Sequence, residues 1–137
     1  MIRSINKDNF FLSQKAIKAT KEDHEIAQDL QDTLMAHKKT CVGMAANMIG
    51  YNKSIIIILD QETPVIMYNP EIIKSSHDVF LSQESCLSHE GSKEVLRHKK
   101  IKVSYQDENF KPKIKTYNDF TSIIIQHEID HLKGILI

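Results

Sequence analysis

No stretch of the 137-residue chain stays apolar for long; the longest such run, Ile55 to Leu59, is far too short to span a bilayer. No signal peptide precedes the first element, so no membrane partner is expected. Net charge is zero and no basic stripe is present, which argues against direct nucleic-acid binding. The two cysteines, Cys41 and Cys86, stand in unlike contexts and form no disulfide framework. With one of them read as a thiolate ligand, a reducing cytoplasm is the expected compartment. Repeats and low-complexity segments are missing as well, and the length bounds residues 1–137 to a single domain with a real core.

What the chain does have is the run Gln126-His127-Glu128-Ile129-Asp130-His131. Histidines four residues apart lie one helical turn from each other on the same face, so both imidazoles reach one ion. The glutamate between them sits beside the first histidine, able to act on a water without ligating. This is the His-Glu-x-x-His arrangement of metal-dependent hydrolases. A helix that merely carries two surface histidines is the plainer alternative. Ile123, Ile124 and Ile125 just upstream argue for burial instead, and two imidazoles with a carboxylate are costly in a core without a partner.

Only Leu132 to Ile137 follow the second histidine. The third ligand is therefore expected upstream, which sets aside zinc proteases that take a glutamate or a further histidine downstream. Cys41, Cys86 and the histidines at 24, 37, 77, 89 and 98 are the candidates. A thiolate outranks an imidazole on a charged loop, so the cysteines lead.

The coarse organisation is α+β. Thr20-Lys21-Glu22-Asp23 reads as a helix start, and Ile26, Leu30 and Leu34 recur at helical spacing up to about His37. Ile55 to Leu59 reads as a strand buried on both faces. Pro64 to Met67 and Glu71 to Lys74 read as two short strands around an Asn69-Pro70 turn. Ile101, Val103 and Tyr105, then Lys113 to Tyr117, alternate about the turn Asp107-Glu108-Asn109 as a hairpin. Asn118-Asp119 opens the last helix, with Asp119 as the expected N-cap. Arg97, His89 and His98 are expected on a solvated loop.

Three short motifs then occur in order: Cys41-Val42-Gly43-Met44-Ala45-Ala46-Asn47-Met48, Glu84-Ser85-Cys86-Leu87-Ser88, and Gln126-His127-Glu128-Ile129-Asp130-His131-Leu132. Over essentially the whole chain this resembles the polypeptide deformylases, whose motifs are Gly-φ-Gly-φ-Ala-Ala-x-Gln (φ apolar), a Glu-Gly-Cys-Leu-Ser strand, and Gln-His-Glu-x-Asp-His-Leu. The resemblance implies small antiparallel sheets around a metal-bearing C-terminal helix, with the N-terminal helix packed on them. It implies Cys86, His127 and His131 as ligands of one divalent ion, ferrous iron in the cell with Zn2+, Ni2+ or Co2+ tolerated, and Glu128 as general acid/base. The implied reaction removes the formyl group from the N-terminal formyl-methionine of new polypeptides, at or near the ribosome, and releases formate. Val42, Ile123 and Ile124 would line an apolar slot for the methionine side chain, although plain core packing is the competing reading. Gly43 would allow close approach of the substrate backbone, and Glu84 and the Leu87 backbone N–H fall where the family holds substrate.

The match has departures. Met48 stands where the family has a glutamine that donates to the developing oxyanion, and a thioether cannot donate. Losing such a donor costs on the order of 100- to 1000-fold in rate. Cys41 and Ser85 replace motif glycines. A deformylase slowed by Met48 is thus one reading, and a metal-bearing paralogue that binds peptide N-termini or another small ligand with little turnover is the other. A small metal-dependent amidase acting on a different acyl group is a third.

Overall fold

A computed structural model describes residues 1–137. Helix α1 (Asn9–Leu12) begins where the Asp8 side chain accepts the N–H groups of Phe10 and Phe11. Thr20 caps a 3-10 turn, Lys21–Asp23, in a reciprocal box with Asp23, and this turn feeds helix α2 (His24–Ala36). Ala27, Leu30, Thr33 and Leu34 are the buried residues at helical spacing on α2. The expected helix is therefore present, with a short 3-10 lead-in.

Strands β1 (Gly43–Ala45), β2 (Ile55–Asp60), β3 (Thr63–Ser75), β4 (Val79–Glu84), β5 (Lys93–His98), β6 (Lys100–Gln106) and β7 (Pro112–Asn118) follow, and helix α3 (Asp119–Leu132) comes last. Five of them make one antiparallel sheet in the order β1-β2-β3-β6-β7, while β4 and β5 pair separately. Ile55 to Ile58 are fully buried because β2 lies inside the sheet with α2 and α3 both packed against it. Burying each of those isoleucines contributes about 1.5–3 kcal/mol. The arrangement is α+β, as expected.

Three expectations need correcting. Pro64–Met67 and Glu71–Lys74 are not two strands around a turn; they belong to one strand, β3, whose register with β6 shifts between Tyr68 and Glu71. Asn69 takes a left-handed φ of 51°, and Pro70 has no N–H to give the ladder, so the irregularity is absorbed as a bulge. The Asn69 side chain secures it by accepting from Ala19 N and donating to Ala19 O and Gln106 Oε1. The N-cap of α3 is Asn118, one residue before the expected Asp119. Cys86 lies not on a strand but in the loop just past the end of β4. The Ile101–Tyr117 hairpin matches in full, with β6 and β7 paired from Lys100↔Asn118 to Gln106↔Pro112.

No helix is long and apolar enough to cross a membrane.

Candidate metal centre

Helix α3 supplies most of the site, and its placement is over-determined. Gln126 is buried and reaches across to β5, donating from Nε2 to His98 O and accepting His98 N–H at Oε1. Asn47, next to the first motif's end, donates to His131 O at 2.9 Å. That bond turns the Asn47 amide toward the helix backbone and away from the place a catalytic amide would need.

Held this way, His127 and His131 present their Nε2 atoms 3.1 Å apart. Cys86 Sγ joins them, and the three ligand atoms lie within 4.8 Å of one another. Two nitrogens bound at about 2.05 Å to a tetrahedral ion would sit about 3.3 Å apart. The donor set therefore fits an ion, with a thiolate and two imidazoles converging on one point. Ser88 N–H, aimed at Cys86 Sγ at 3.4 Å, suits a negative sulfur. A further mark of fit is Glu128, whose Oε1 is buried without a partner in the protein. Such an atom is expensive unless something in the cleft, a water or a substrate, completes its bonding.

Behind His127 lies a charged network. Glu84 Oε1 accepts from His127 Nδ1 at 2.7 Å, and Arg97 clamps Glu84 from two nitrogens at 2.8 and 2.6 Å. Arg97 also pairs with Asp130 on α3. Burial would raise the Glu84 carboxyl, but the Arg97 and His127 hydrogen bonds outweigh it and hold the group at about 2. A carboxylate on Nδ1 fixes the ring's orientation and directs Nε2 into the site. The solvated loop expected for Arg97 is thus wrong: the residue is 3% exposed, on β5, and fully paired. A lone arginine among lysines gives no sign in the sequence that its partners are thirteen and thirty-three residues away.

Burial dominates the titrations of Glu128 and His131, whereas at His127 it is outweighed by the hydrogen bonds to Cys86 and Glu84, which raise the imidazole to about 10. Burial lifts Glu128 to about 7, and the nearby Glu84 charge adds to that against the pull of His127. His131 is pushed down to about 3 by burial, with His127 next to it contributing. A neutral imidazole is the form that ligates. His89, also expected on a solvated loop, instead lies with its ring stacked near His131, centroids 6.4 Å apart, and its Nε2 buried without a partner. His98 bonds to Ser76 O and His37 to Thr33 O, so neither approaches the centre.

A cleft of about 530 Å³ opens onto this cluster. Its lining includes Val42, Gly43, Met48, Glu84, Leu87, Ile123, Ile124, His127 and Glu128, together with Cys41, Cys86 and Phe120. Every site residue implied by the deformylase resemblance is therefore at the cleft or, for His131, in the adjoining cluster, whereas His24, His37, His77, His89 and His98 are not in its lining. Gly43 has a steric reason: a Cβ there would meet Ile124 Cγ2 at 2.7 Å and Glu128 Oε2 at 2.9 Å. A second hollow of about 810 Å³ shares Phe120 and Ile123 but holds no residue of the three motifs.

Comparison with known proteins points the same way. The polypeptide deformylase family matches residues 2–137. A peptide deformylase of Clostridium beijerinckii is 46% identical over 137 residues, covering the whole of both chains. Among solved structures, a class I type b peptide deformylase from Acinetobacter baumannii with Met-Ala-Ser bound superposes with a TM-score of 0.90 at 26% identity, covering 99% of this chain and 97% of that one. A Synechococcus elongatus peptide deformylase in complex with actinonin gives 0.88 at 30% identity, covering 98% and 75%.

Proposed function

The chain belongs to the polypeptide deformylase family and is an enzyme of that kind, and from this premise we propose that it hydrolyses the formamide of N-formyl-methionyl peptides, nascent chains in the cytoplasm, as one domain over residues 1–137. Cys86, His127 and His131 would hold one divalent ion, Fe2+ by the family resemblance, with Zn2+, Ni2+ or Co2+ able to replace it. When bound, such an ion supplies Lewis acidity and lowers the pKa of a nearby water.

The chain's own residues do the rest. Glu128 is the general base: it lines the cleft, its Oε1 has no partner in the protein, and it accepts a proton from the attacking water. The same carboxyl then passes that proton to the departing amine, so that water and formamide become formate and a free amino terminus. Burial raises this carboxyl above the usual carboxylate range, which favours taking up the proton. Glu84, with both oxygens engaged, acts by holding His127 through its Nδ1–H. The Leu87 backbone N–H is assigned to the substrate oxygen. Val42, Ile123 and Ile124 line the cleft wall and are assigned to the methionine side chain, and Gly43 keeps the floor open to the substrate backbone.

The observation that carries this reading is the convergence of Cys86 Sγ with the two imidazoles beside the orphaned Glu128 carboxylate. Its test is formate release from a formyl-methionyl peptide by anaerobically prepared, Fe2+-loaded protein, with metal analysis of Cys86→Ala alongside. Formate release by the wild-type chain and near-complete loss of metal in the variant are expected. Full metal occupancy in Cys86→Ala would remove Cys86 from the ligand set. No formate from metal-replete protein would leave the paralogue that binds peptide N-termini without turnover.

A further inference from the structure

On the outer face of the five-stranded sheet, three lysines surround a hollow of about 280 Å³. Lys74 of β3 stands directly opposite Lys102 of β6, which in turn stands opposite Thr116 of β7. These residues make one row across the sheet. Lys100 lies two residues before Lys102 and points the same way. Ser75 and Ser76 belong to the lining as well, and no acidic side chain does. The register here is not that of a regular ladder. Ile72 opposes Val103 while Lys74 opposes Lys102, so Ile73 is an extra residue. Without it Lys74 would oppose Ile101, a core residue 1% exposed. The bulge brings the ammonium out of the core and sets it against a second one. Like charges directly opposite each other are destabilising. No carboxylate relieves them, since the lysines that pair with acids are Lys53 and Lys113. Glu71, one row along the sheet and opposite Ser104, forms no ion pair with them.

We propose that this hollow binds a phosphate-bearing anion, held by the ammonium groups of Lys74, Lys100 and Lys102 beside the Thr116 hydroxyl. Lysine serves such ligands as a compact positive charge with rotatable donors. The anion cancels the repulsion between Lys74 and Lys102 that the bare fold carries. Ser76 fixes the backbone at one end, its N–H donating to Lys100 O and its Oγ accepting the Lys100 N–H. Pockets that enclose whole small-molecule ligands run from roughly 300 Å³ upward, so this hollow suits one or two phosphoryl groups. Lysines present only for solubility have no reason to crowd one row in a chain of zero net charge. None of the lining residues belongs to the metal cleft, so the site is independent of the reaction proposed above.

Calorimetric titration of inorganic pyrophosphate into zinc-loaded wild type, Lys74→Gln and Lys102→Gln at about 0.15 M salt tests this, with zinc content measured before and after. Binding to the wild type is expected, with a loss of about tenfold in each variant, the worth of one charge-assisted hydrogen bond. Lys102→Arg keeps the charge and should keep most of the affinity. Backbone amide shifts on binding should gather at residues 74–76, 100–102 and 116 and spare α3. Lys74 and Lys102 are exposed, so formate release should stay at the wild-type level in every variant and reports an intact fold. A short oligouridylate titrated in parallel identifies the source of the phosphate. Tighter binding than pyrophosphate with the same lysine dependence, falling with salt, marks a polymer backbone; pyrophosphate alone marks a free phosphoryl ligand. Pyrophosphate held equally by wild type and both glutamine variants, or shifts confined to the metal centre, overturns the site. So does failure of both ligands to bind, and sulfate bound as well as pyrophosphate reduces it to an adventitious ion only.

Discussion

Glu84 Oε1 and His127 Nδ1 are 2.7 Å apart, and Arg97 closes on the same carboxylate from β5. The pair links the loop that carries Cys86 to the helix that carries both histidines, since Glu84 ends β4 two residues before the cysteine. Removing Arg97 strands Glu84 and Asp130 as uncompensated charges in and beside the core. Arg97→Met should therefore cost about 3–5 kcal/mol of stability, read from urea unfolding of the metal-free protein. A loss below about 1 kcal/mol would mean that water enters and replaces the guanidinium.

Glu128→Gln separates ligation from proton transfer. The amide keeps the shape of the side chain but accepts no proton from water. Metal content should stay within error of the wild type while formate release falls by about 100-fold or more. Loss of metal together with activity would make Glu128 a structural group or a ligand.

The sequence disclosed local matters well and remote ones poorly. The spacing of His127 and His131 and the run Ile55 to Leu59 depend on one helix period and one strand; both stand in the fold, the run being buried over Ile55 to Ile58 and half-buried at Leu59. Asn69-Pro70 misled because turn residues also make bulges when neighbouring strands continue the ladder; here the partners Ala19 and Gln106 come from distant segments. Arg97 and His89 were illegible for the same reason. Nothing within a few residues of either shows that β4 and β5 fold back over α3. Asp130 belongs to the recognised motif, yet its role as a partner of Arg97 is visible only in three dimensions.

Gly43→Ala tests how tightly the cleft floor is drawn. The added methyl would sit 2.7 Å from Ile124 Cγ2 and 2.9 Å from Glu128 Oε2, and both residues are buried on helix α3. Overpacking of this kind costs about 1–3 kcal/mol. A drop of that size in urea unfolding is expected, accompanied by a fall in formate release because the Glu128 carboxylate has to move. An unchanged unfolding midpoint would show that the Ile124 side chain yields freely.

Cys41 offers a pH-dependent readout. Its thiol donates to Gly43 O and is pushed up to about 12, first by burial and then by the charges of Glu128 and Cys86. A thiol of an unfolded chain ionises near 9. The folded pKa is the higher one, so this group's contribution to stability is full below about 9 and is lost as pH climbs toward 12. Alkylation of Cys41 by iodoacetamide, mapped by peptide mass in zinc-loaded protein, should rise about tenfold per pH unit from 8 to 10 with no plateau. A plateau near pH 9 would show an ordinary, solvated thiol.

Met48→Gln exchanges the thioether for an amide at the motif position where the deformylase pattern has glutamine. Two effects act together. The variant loses a sulfur that faces Cys86 at 3.9 Å, and it gains an N–H donor in a cleft whose floor already holds Glu128. A donor aimed at a developing oxyanion is worth about 3–4 kcal/mol at most, and imperfect placement lowers the gain. kcat/KM on formyl-methionyl peptides should therefore rise, with KM moving less than kcat, because the oxyanion exists only near the transition state. Asn47 cannot mask the effect, since its amide is committed to His131 O. An unchanged or lower rate in folded, metal-replete Met48→Gln would mean that another group already stabilises that charge, or that the cleft is shaped for an acyl group other than formyl.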